Sequence, residues 1–166
     1  MPSARSLVLA LAVPVAALAL TACDKPAPSA TIFSGSSSEH REALCWSFDA
    51  DRAYTADDCA VDVAAAQSQQ SVVDALDEYL TTLEVRAGDV VGISVDPEVA
   101  EGGWSVTVNG RPLHRELLTE TYFRFTMPPQ PLRQGSAELQ IQAAAEDGTS
   151  ARGFWVFRLA DASASG

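Results

Sequence analysis

From Thr82 onward, apolar and polar residues alternate with a period of two, the pattern of half-buried β-strands. The apolar positions of these runs are Val91, Ile93 and Val95; Trp104, Val106 and Val108; Phe123 and Phe125; and Ala137, Leu139, Ile141 and Ala143. Turn signals separate the runs. Asp96-Pro97 ends one strand because proline lacks a backbone donor. Asn109-Gly110 predicts a tight hairpin because both residues tolerate positive φ.

The final run, Phe154–Leu159, is apolar on nearly both faces, which predicts a central strand. Ahead of Thr82, Ala30–Phe33 predicts a short first strand that ends at Gly35, and Glu39–Phe48 contains a further alternating run. Several short strands with Gly and Asn turns favour a mainly β fold, an immunoglobulin-like two-sheet antiparallel β-sandwich.

One stretch departs from the period of two. Its apolar residues recur at helical spacing, and they are Val72, Leu76, Tyr79 and Leu80. Acidic residues fall largely on the other side. The sandwich is therefore expected to carry one short helix, over Ser71–Leu80.

The N-terminal segment is strongly apolar. Leu7–Leu20 contains only Leu, Val, Ala and Pro, and Arg5 precedes it. Fourteen residues are too few to cross a bilayer, which needs about 20. The length and the basic flank fit the apolar region of a secretory signal peptide. No later apolar run is long enough to span a membrane, so the body is expected to be tethered and not embedded.

Small residues and a cysteine follow this apolar region. Leu20, Thr21, Ala22 and Cys23 resemble the lipobox of bacterial lipoproteins. The resemblance implies cleavage after Ala22 and a diacylglycerol on the sulfur of Cys23, which becomes the lipid anchor. The protein is then expected to be exported and anchored to the outer face of the cytoplasmic membrane. The alternative is an ordinary secretory signal cut near Ala22, which leaves Cys23 free or paired with another cysteine.

These features divide the chain into four expected parts. Residues 1–22 are the signal peptide, and residues 23–38 are the acylated N-terminus with a flexible, Pro- and Ser-containing tether. Residues 39–160 form the β-sandwich domain, and residues 161–166 are a disordered tail of small and polar residues. The mature chain of 144 residues is long enough for a single domain.

The negative net charge of the chain limits the kinds of partner that it can bind. Of the 166 residues, 22 are acidic and 11 basic, and loss of the signal peptide removes one of the basic residues. Nucleic acid is excluded as a partner because its binding depends on Lys and Arg contacts to phosphates. Anionic lipid headgroups should repel the body as well. The expected partners are the membrane, through the lipid on Cys23, and an envelope protein or glycan.

The two remaining cysteines, Cys45 and Cys59, form an even pair in an exported and therefore oxidising setting, which predicts a disulfide. Its loop of 15 residues would add about 3 kcal/mol in the chain-entropy model. Zinc is the competing interpretation. Two thiolates at this spacing with only His40 nearby make a poor zinc site.

Other metal patterns are incomplete. A blue-copper site needs two histidines, a cysteine and a weak axial ligand. His40, His114 and Met127 are present, but no cysteine follows Cys59. The acidic stretch 49–58 begins like an EF-hand loop at Asp49 but lacks the required glycine and the terminal glutamate. No metal and no cofactor is therefore expected, and a loose cation site in this loop is the weaker alternative.

Catalytic patterns are also missing. The Gly-x-Ser-x-Gly elbow of serine hydrolases is absent, since Ser94 follows only one of the two glycines. Glu98 and Glu101 could act as paired carboxylates, but they are expected in a Pro- and Gly-containing loop where acidic residues are ordinary. We therefore predict no catalytic residues and no enzyme activity.

Several segments resemble a bacterial lipoprotein family that carries only a domain-of-unknown-function label. They are Cys23-Asp24-Lys25-Pro26, Ala43-Leu44-Cys45, Val85-Arg86-Ala87-Gly88-Asp89, Val95-Asp96-Pro97, Gly103-Trp104 and Gly153-Phe154-Trp155-Val156-Phe157. The resemblance covers most of the mature chain and departs between Ala60 and Leu80, which is longer than the family pattern. It implies an exported lipoprotein with a β-rich body and implies no activity.

Three functions follow in order of support. The first is a non-catalytic binding or assembly module of the cell envelope. The second is a carrier of a small ligand or lipid, which requires a cavity between the sheets of about 300–1,000 Å³. The third is an envelope hydrolase, which requires two carboxyl groups facing each other across a cleft.

Overall fold

The structure, a computed structural model, describes residues 25–49, 53–55, 58–59, 79–130, 132, 135–148 and 150–163. The strands are β1 (Ser29–Ser34), β2 (Ser37–Glu42), β3 (Cys45–Trp46), β4 (Thr81–Val85), β5 (Val90–Val95), β6 (Trp104–Val108), β7 (Arg111–Pro112), β8 (Tyr122–Thr126), β9 (Ser136–Ala144) and β10 (Ala151–Asp161). A short helix, α1 (Pro97–Gly102), lies between β5 and β6.

The strands form two sheets that pack into a sandwich. The four-stranded sheet has the order β2-β1-β5-β8. The six-stranded sheet has the order β3-β10-β9-β6-β7, with β4 added beside β10. All pairs are antiparallel except β4–β10, which is parallel. The predicted mainly β, two-sheet sandwich is confirmed; the short helix α1 is not the one predicted over Ser71–Leu80.

The core lies between the inner faces of the two sheets. Most of the alternating apolar residues predicted from the sequence are buried there, and Val91, Ile93, Trp104, Leu139 and Ile141 are fully enclosed. Val108, Phe123 and Phe125 are half-buried against this core. Strand β10 is central, as predicted, because β9 lies on one side of it and β3 and β4 on the other. Its inner face adds the large side chains Trp155, Phe157 and Leu159 to this core.

The second face of β10 is covered as well, which explains why the strand is apolar on both faces. Phe154 packs there with Ala151 and Cys59. Cys59 is joined to Cys45 by a disulfide with a Cα–Cα distance of 5.7 Å, as predicted from the cysteine count. The bond fixes the segment around Cys59 against the start of β10.

The predicted turns are present. Asn109 and Gly110 have φ values of 48° and 71° and form the two-residue loop between β6 and β7. Strand β5 ends at Val95, and Pro97 then opens α1, where its missing N–H costs nothing. Glu98 and Glu101 therefore lie on a short helix and not in the predicted loop.

The folded body starts earlier than the predicted boundary at residue 39. Strand β1 lies between β2 and β5, so residues 29–38 of the predicted 23–38 tether belong to the four-stranded sheet. The serine-rich composition of this segment suggested a flexible tether. Gly35, with a φ of 58°, instead makes a tight turn between β1 and β2. Strand β2 is polar because it is an exposed edge strand, where polar residues are tolerated. At the other end, β10 runs one residue past the predicted boundary, and Asp161 is buried.

The predicted helix over Ser71–Leu80 lies outside the described residues except for Tyr79 and Leu80. Tyr79 fastens the chain before β4 to β2: its hydroxyl donates to the carbonyl of Glu42, and the Arg41 guanidinium lies 5.2 Å from its ring centroid. Burial raises the pKa of Tyr79 to about 12. No helix in the described part of the chain is long and apolar enough to cross a membrane.

Candidate binding cleft

A cleft of about 590 Å³ opens at one end of the sandwich, where the β6–β7 hairpin approaches the end of β8. Its apolar lining residues are Val108, Leu113, Phe125, Met127, Pro128 and Leu132. Its polar lining residues are Asn109, Arg111, Thr126 and Gln130. The volume is within the range of small-ligand sites, and six of the ten lining residues are apolar.

The hairpin wall is held rigidly by its turn residue. The backbone N–H of Asn109 donates to the carbonyl of Glu138 at 2.8 Å, and its side-chain Oδ1 accepts from the N–H of Glu138 at 2.9 Å. These two bonds fix the tip of the hairpin to β9. Arg111, two residues further on, is exposed at the rim of the cleft.

The opposite wall is fixed at two points. The N–H of the buried Met127 donates to the carbonyl of Asp89 at 2.8 Å, which continues the pairing of β8 with β5. The N–H of Leu132 donates to the Asp161 carboxylate at 3.1 Å. Hydrogen bonds from the Ser163 hydroxyl and backbone, with that of Leu132, hold the pKa of Asp161 below its ordinary value, although its burial acts in the opposite direction.

Strand β8 is an edge strand of the four-stranded sheet and lies beside the cleft. The carbonyl of Thr121 accepts a hydrogen bond from the N–H of Val95, and the N–H of Met127 donates to the carbonyl of Asp89. In this register the backbone N–H and C=O groups of the odd-numbered residues of β8 point toward β5. The backbone groups of Tyr122, Arg124 and Thr126 therefore point to the other side. Among the described residues, no strand pairs with β8 on that side.

The anchor predicted from the sequence cannot be located, since Leu20, Thr21, Ala22 and Cys23 lie outside the described residues. The predicted disulfide residues are brought together. Cys45 pairs with Phe154 near the start of β10, at the opposite end of the sandwich from the cleft.

The incomplete metal patterns do not assemble into a site. His40 lies on β2 and contacts Thr31 Oγ1 at 3.0 Å, while His114 lies in the loop before β8 and contacts the carbonyl of Glu116. Strands β2 and β8 form opposite edges of the four-stranded sheet. Met127 is buried at the wall of the cleft. Within the part of the chain that the structure describes, no group of three or more His, Cys, Asp or Glu residues could hold a metal ion.

The two candidate carboxylates do not face each other across a cleft. Glu98 and Glu101 lie three residues apart on α1, at the end of the sandwich far from the cleft. Glu98 makes ion pairs with Lys25 and, at 3.3 Å, with Arg152. This arrangement fastens the N-terminal segment to the body and does not resemble a hydrolase site.

The sequence pattern missed the cleft. Val108 and Phe125 were assigned to strand faces, and both are half-buried where they line the cleft. Arg111 and Gln130 stand in short connections without any recognisable motif. The Asn109-Gly110 sequence predicted a hairpin turn at this end of the sandwich, but it did not predict the cleft beside that turn.

Comparison with known proteins gives no relative to guide the interpretation: no family model matches the chain, and no curated protein matches it.

Proposed function

We propose that this protein is an exported lipoprotein, anchored through Cys23 to the outer face of the cytoplasmic membrane, whose β-sandwich is a non-catalytic binding module of the cell envelope. The cleft is the observation that carries the binding part of the proposal. The lipobox-like sequence and the resemblance to a lipoprotein family of unknown function support the anchor.

An extended segment of an envelope protein is the partner that the geometry favours. A peptide strand added along β8 would find the backbone donors and acceptors of Tyr122, Arg124 and Thr126 unpaired within the described structure. Its alternate side chains would enter the cleft beside Phe125. Main-chain bonds would then supply affinity and the cleft would supply specificity, as in other cases of strand addition.

A carrier of a small amphipathic ligand is the second candidate, and the size of the cleft favours it. A volume of about 590 Å³ suits a ligand of drug or lipid-fragment size. Arg111 stands at the rim above an apolar lining, an arrangement suited to an anionic head and an apolar body.

Site-specific photo-crosslinking tests the proposal. A photoreactive amino acid replaces the exposed Gln130 at the cleft, and the protein is irradiated in intact cells. We expect one discrete adduct. Thr126→Trp, which fills the cleft from its rim, should abolish this adduct. Ser38→Trp is the matched control, because Ser38 is exposed on β2, at the opposite edge of the four-stranded sheet from β8 and the cleft, and this variant should leave the adduct unchanged.

The mass of the adduct separates the two candidates. A protein adduct that Thr126→Trp removes supports the binding module, and a small-molecule adduct with the same dependence supports the carrier. An adduct that persists in Thr126→Trp, or none at all, would contradict a function of the cleft.

A further inference from the structure

The strand registers define two ends of the sandwich. Ser29 at the start of β1 lies next to the end of β5, which leads through α1 to Trp104 at the start of β6. Trp104 pairs with Ala143, next to the turn that joins β9 to β10. We call this end, with α1, the β9–β10 turn and the segment after β3, the anchor end. The cleft lies at the other end, which we call the cleft end.

The chain that leads from Cys23 is fastened to the anchor end. The carbonyl of the buried Pro28 accepts hydrogen bonds from the N–H of Ala43 at 2.9 Å and from Trp155 Nε1 at 3.2 Å. Ala27 packs against the core, and Lys25 pairs with Glu98 on α1. The body is therefore in contact with its own N-terminal segment from the second residue after Cys23.

The length of chain outside the structure sets how far the body can lie from an anchored Cys23. Lys25 is the second residue after Cys23 and can lie at most about 7 Å from it, and Pro28 is the fifth and can lie at most about 18 Å from it. The six-residue strand β1 that follows is itself about 20 Å long. The lipid can therefore be attached only beside the anchor end.

Two large exposed apolar side chains lie at the same end. The largest among the described residues are Phe48 (57 % exposed), Val90 (51 %), Tyr122 (47 %) and Leu117 (42 %). Phe48 follows Ser47, whose carbonyl accepts a hydrogen bond from the Arg152 side chain. Leu117 lies against Gly103. Tyr122 pairs with Ser94 near the end of β5. Phe48 and Leu117 lie at the anchor end, Tyr122 stacks on Phe33 over the outer face of the four-stranded sheet, and Val90 lies at the cleft end. Aromatic side chains are favoured at membrane interfaces.

We propose that the anchor end is a membrane-contact surface, which rests on zwitterionic headgroups and holds the cleft away from the bilayer. The proposal rests on the lipid anchor proposed above. Zwitterionic lipid fits the charge of this surface: Lys25 and Arg152 offset Glu98, but Glu101 and Glu146 remain exposed and would be repelled by anionic headgroups. The ligand of the cleft then arrives from the aqueous side and not from the bilayer beneath.

Fluorescence quenching in nanodiscs tests the orientation. The acylated protein is placed in phosphatidylcholine–phosphatidylethanolamine nanodiscs with nitroxide-labelled headgroups, and one fluorophore is attached at Glu146→Cys or at Ser36→Cys. Both sites are exposed turns, at the anchor end and the opposite end respectively. The added cysteine is the only free thiol, since Cys45 and Cys59 are joined. We expect strong quenching at position 146 and background quenching at position 36.

Two variants test the cause of the orientation. About 20 Gly and Ser residues inserted between Asp24 and Lys25 give a mean reach of about 25 Å and should reduce the difference between the two positions. Phe48→Ser combined with Leu117→Ser should reduce quenching at position 146. Val90→Ser, a substitution of an equally exposed residue at the other end, should not.

The intact mass of the same preparation separates the possible failures. If the acyl mass is present and both positions are quenched equally, the membrane-contact surface is wrong and the anchor stands. If the acyl mass is absent from protein purified from its native membrane, the anchor itself is wrong and the orientation fails with it.

Discussion

The carboxylate of Asp161 ties one wall of the cleft to the last strand of the sandwich. It accepts hydrogen bonds from the N–H of Leu132, which lines the cleft, and from the hydroxyl and N–H of Ser163. These bonds favour the ionised form, and so the pKa of Asp161 is lowered. The stability that they contribute is present above the ordinary pKa of an aspartate, about 3.9, and is lost as the pH falls below it through the lowered pKa.

We predict that Asp161→Asn lowers the melting temperature at pH 7 and pH 5 and has a smaller effect at pH 3, below the ordinary pKa of an aspartate, where part of the stability contributed by the ionised carboxylate is lost. Thermal unfolding followed by circular dichroism at the three pH values measures this. Glu138→Gln, on the exposed side of β9, is the control. An equal loss for Asp161→Asn at all three pH values would mean that the charge of Asp161 has no role.

A second feature at this scale is the close contact between Gly153 and Trp46. A Cβ on Gly153 would lie 2.4 Å from the Trp46 ring and 3.0 Å from the carbonyl oxygen of Cys45. The ring cannot move aside easily, because Trp46 is buried against Trp155 and the Arg152 guanidinium lies 4.5 Å from its centroid.

Gly153→Ala should therefore destabilise the fold by about 1–3 kcal/mol, as overpacking in a core does. Chemical denaturation gives the free energy of unfolding. Gly102→Ala is the matched control, because a Cβ there meets its nearest neighbour at an ordinary 3.4 Å, and it should change little. Equal stability of the two variants would contradict the packing described for Trp46.

At the scale of elements, the β6–β7 hairpin positions the rim of the cleft. Its turn requires positive φ at Asn109 and Gly110, and the Asn109 side chain also bonds to β9. Asn109→Gly keeps the backbone conformation and loses only the side-chain bond, whereas Asn109→Ala loses both.

We expect Asn109→Ala to destabilise the protein by about 1–3 kcal/mol and Asn109→Gly by less. Hydrogen exchange should locate the change in residues 106–113. If the two variants have the same stability, the positive φ of Asn109 is not a requirement of this turn.

At the scale of the whole molecule, the disulfide connects the start of the six-stranded sheet to the segment that covers the second face of β10. Its loop of 15 residues should stabilise the folded state by about 3 kcal/mol. Cys45→Ser combined with Cys59→Ser should lower the free energy of unfolding by this amount, and reductant should lower that of the native protein similarly. Reductant should not affect the double variant; a further loss there would point to another cause.

The alternation of apolar residues was sufficient to predict the sandwich, because burial of one face of each strand determines both the period and the side on which each residue lies. The disulfide and the Asn109-Gly110 hairpin were predictable for equally local reasons. The first two strands were assigned in part to a tether, because an exposed edge strand such as β2 can be as polar as a linker. The cleft depends on how the β6–β7 hairpin meets the chain that follows β8, two segments distant in sequence, and no local pattern records that arrangement.

The most direct test of the account is the intact mass of the native protein purified from its own membrane. The account predicts a chain that begins at Cys23, carries diacylglycerol on its sulfur and stays with the membrane during washes with high salt. A chain without added acyl mass that is released into the aqueous phase would contradict it.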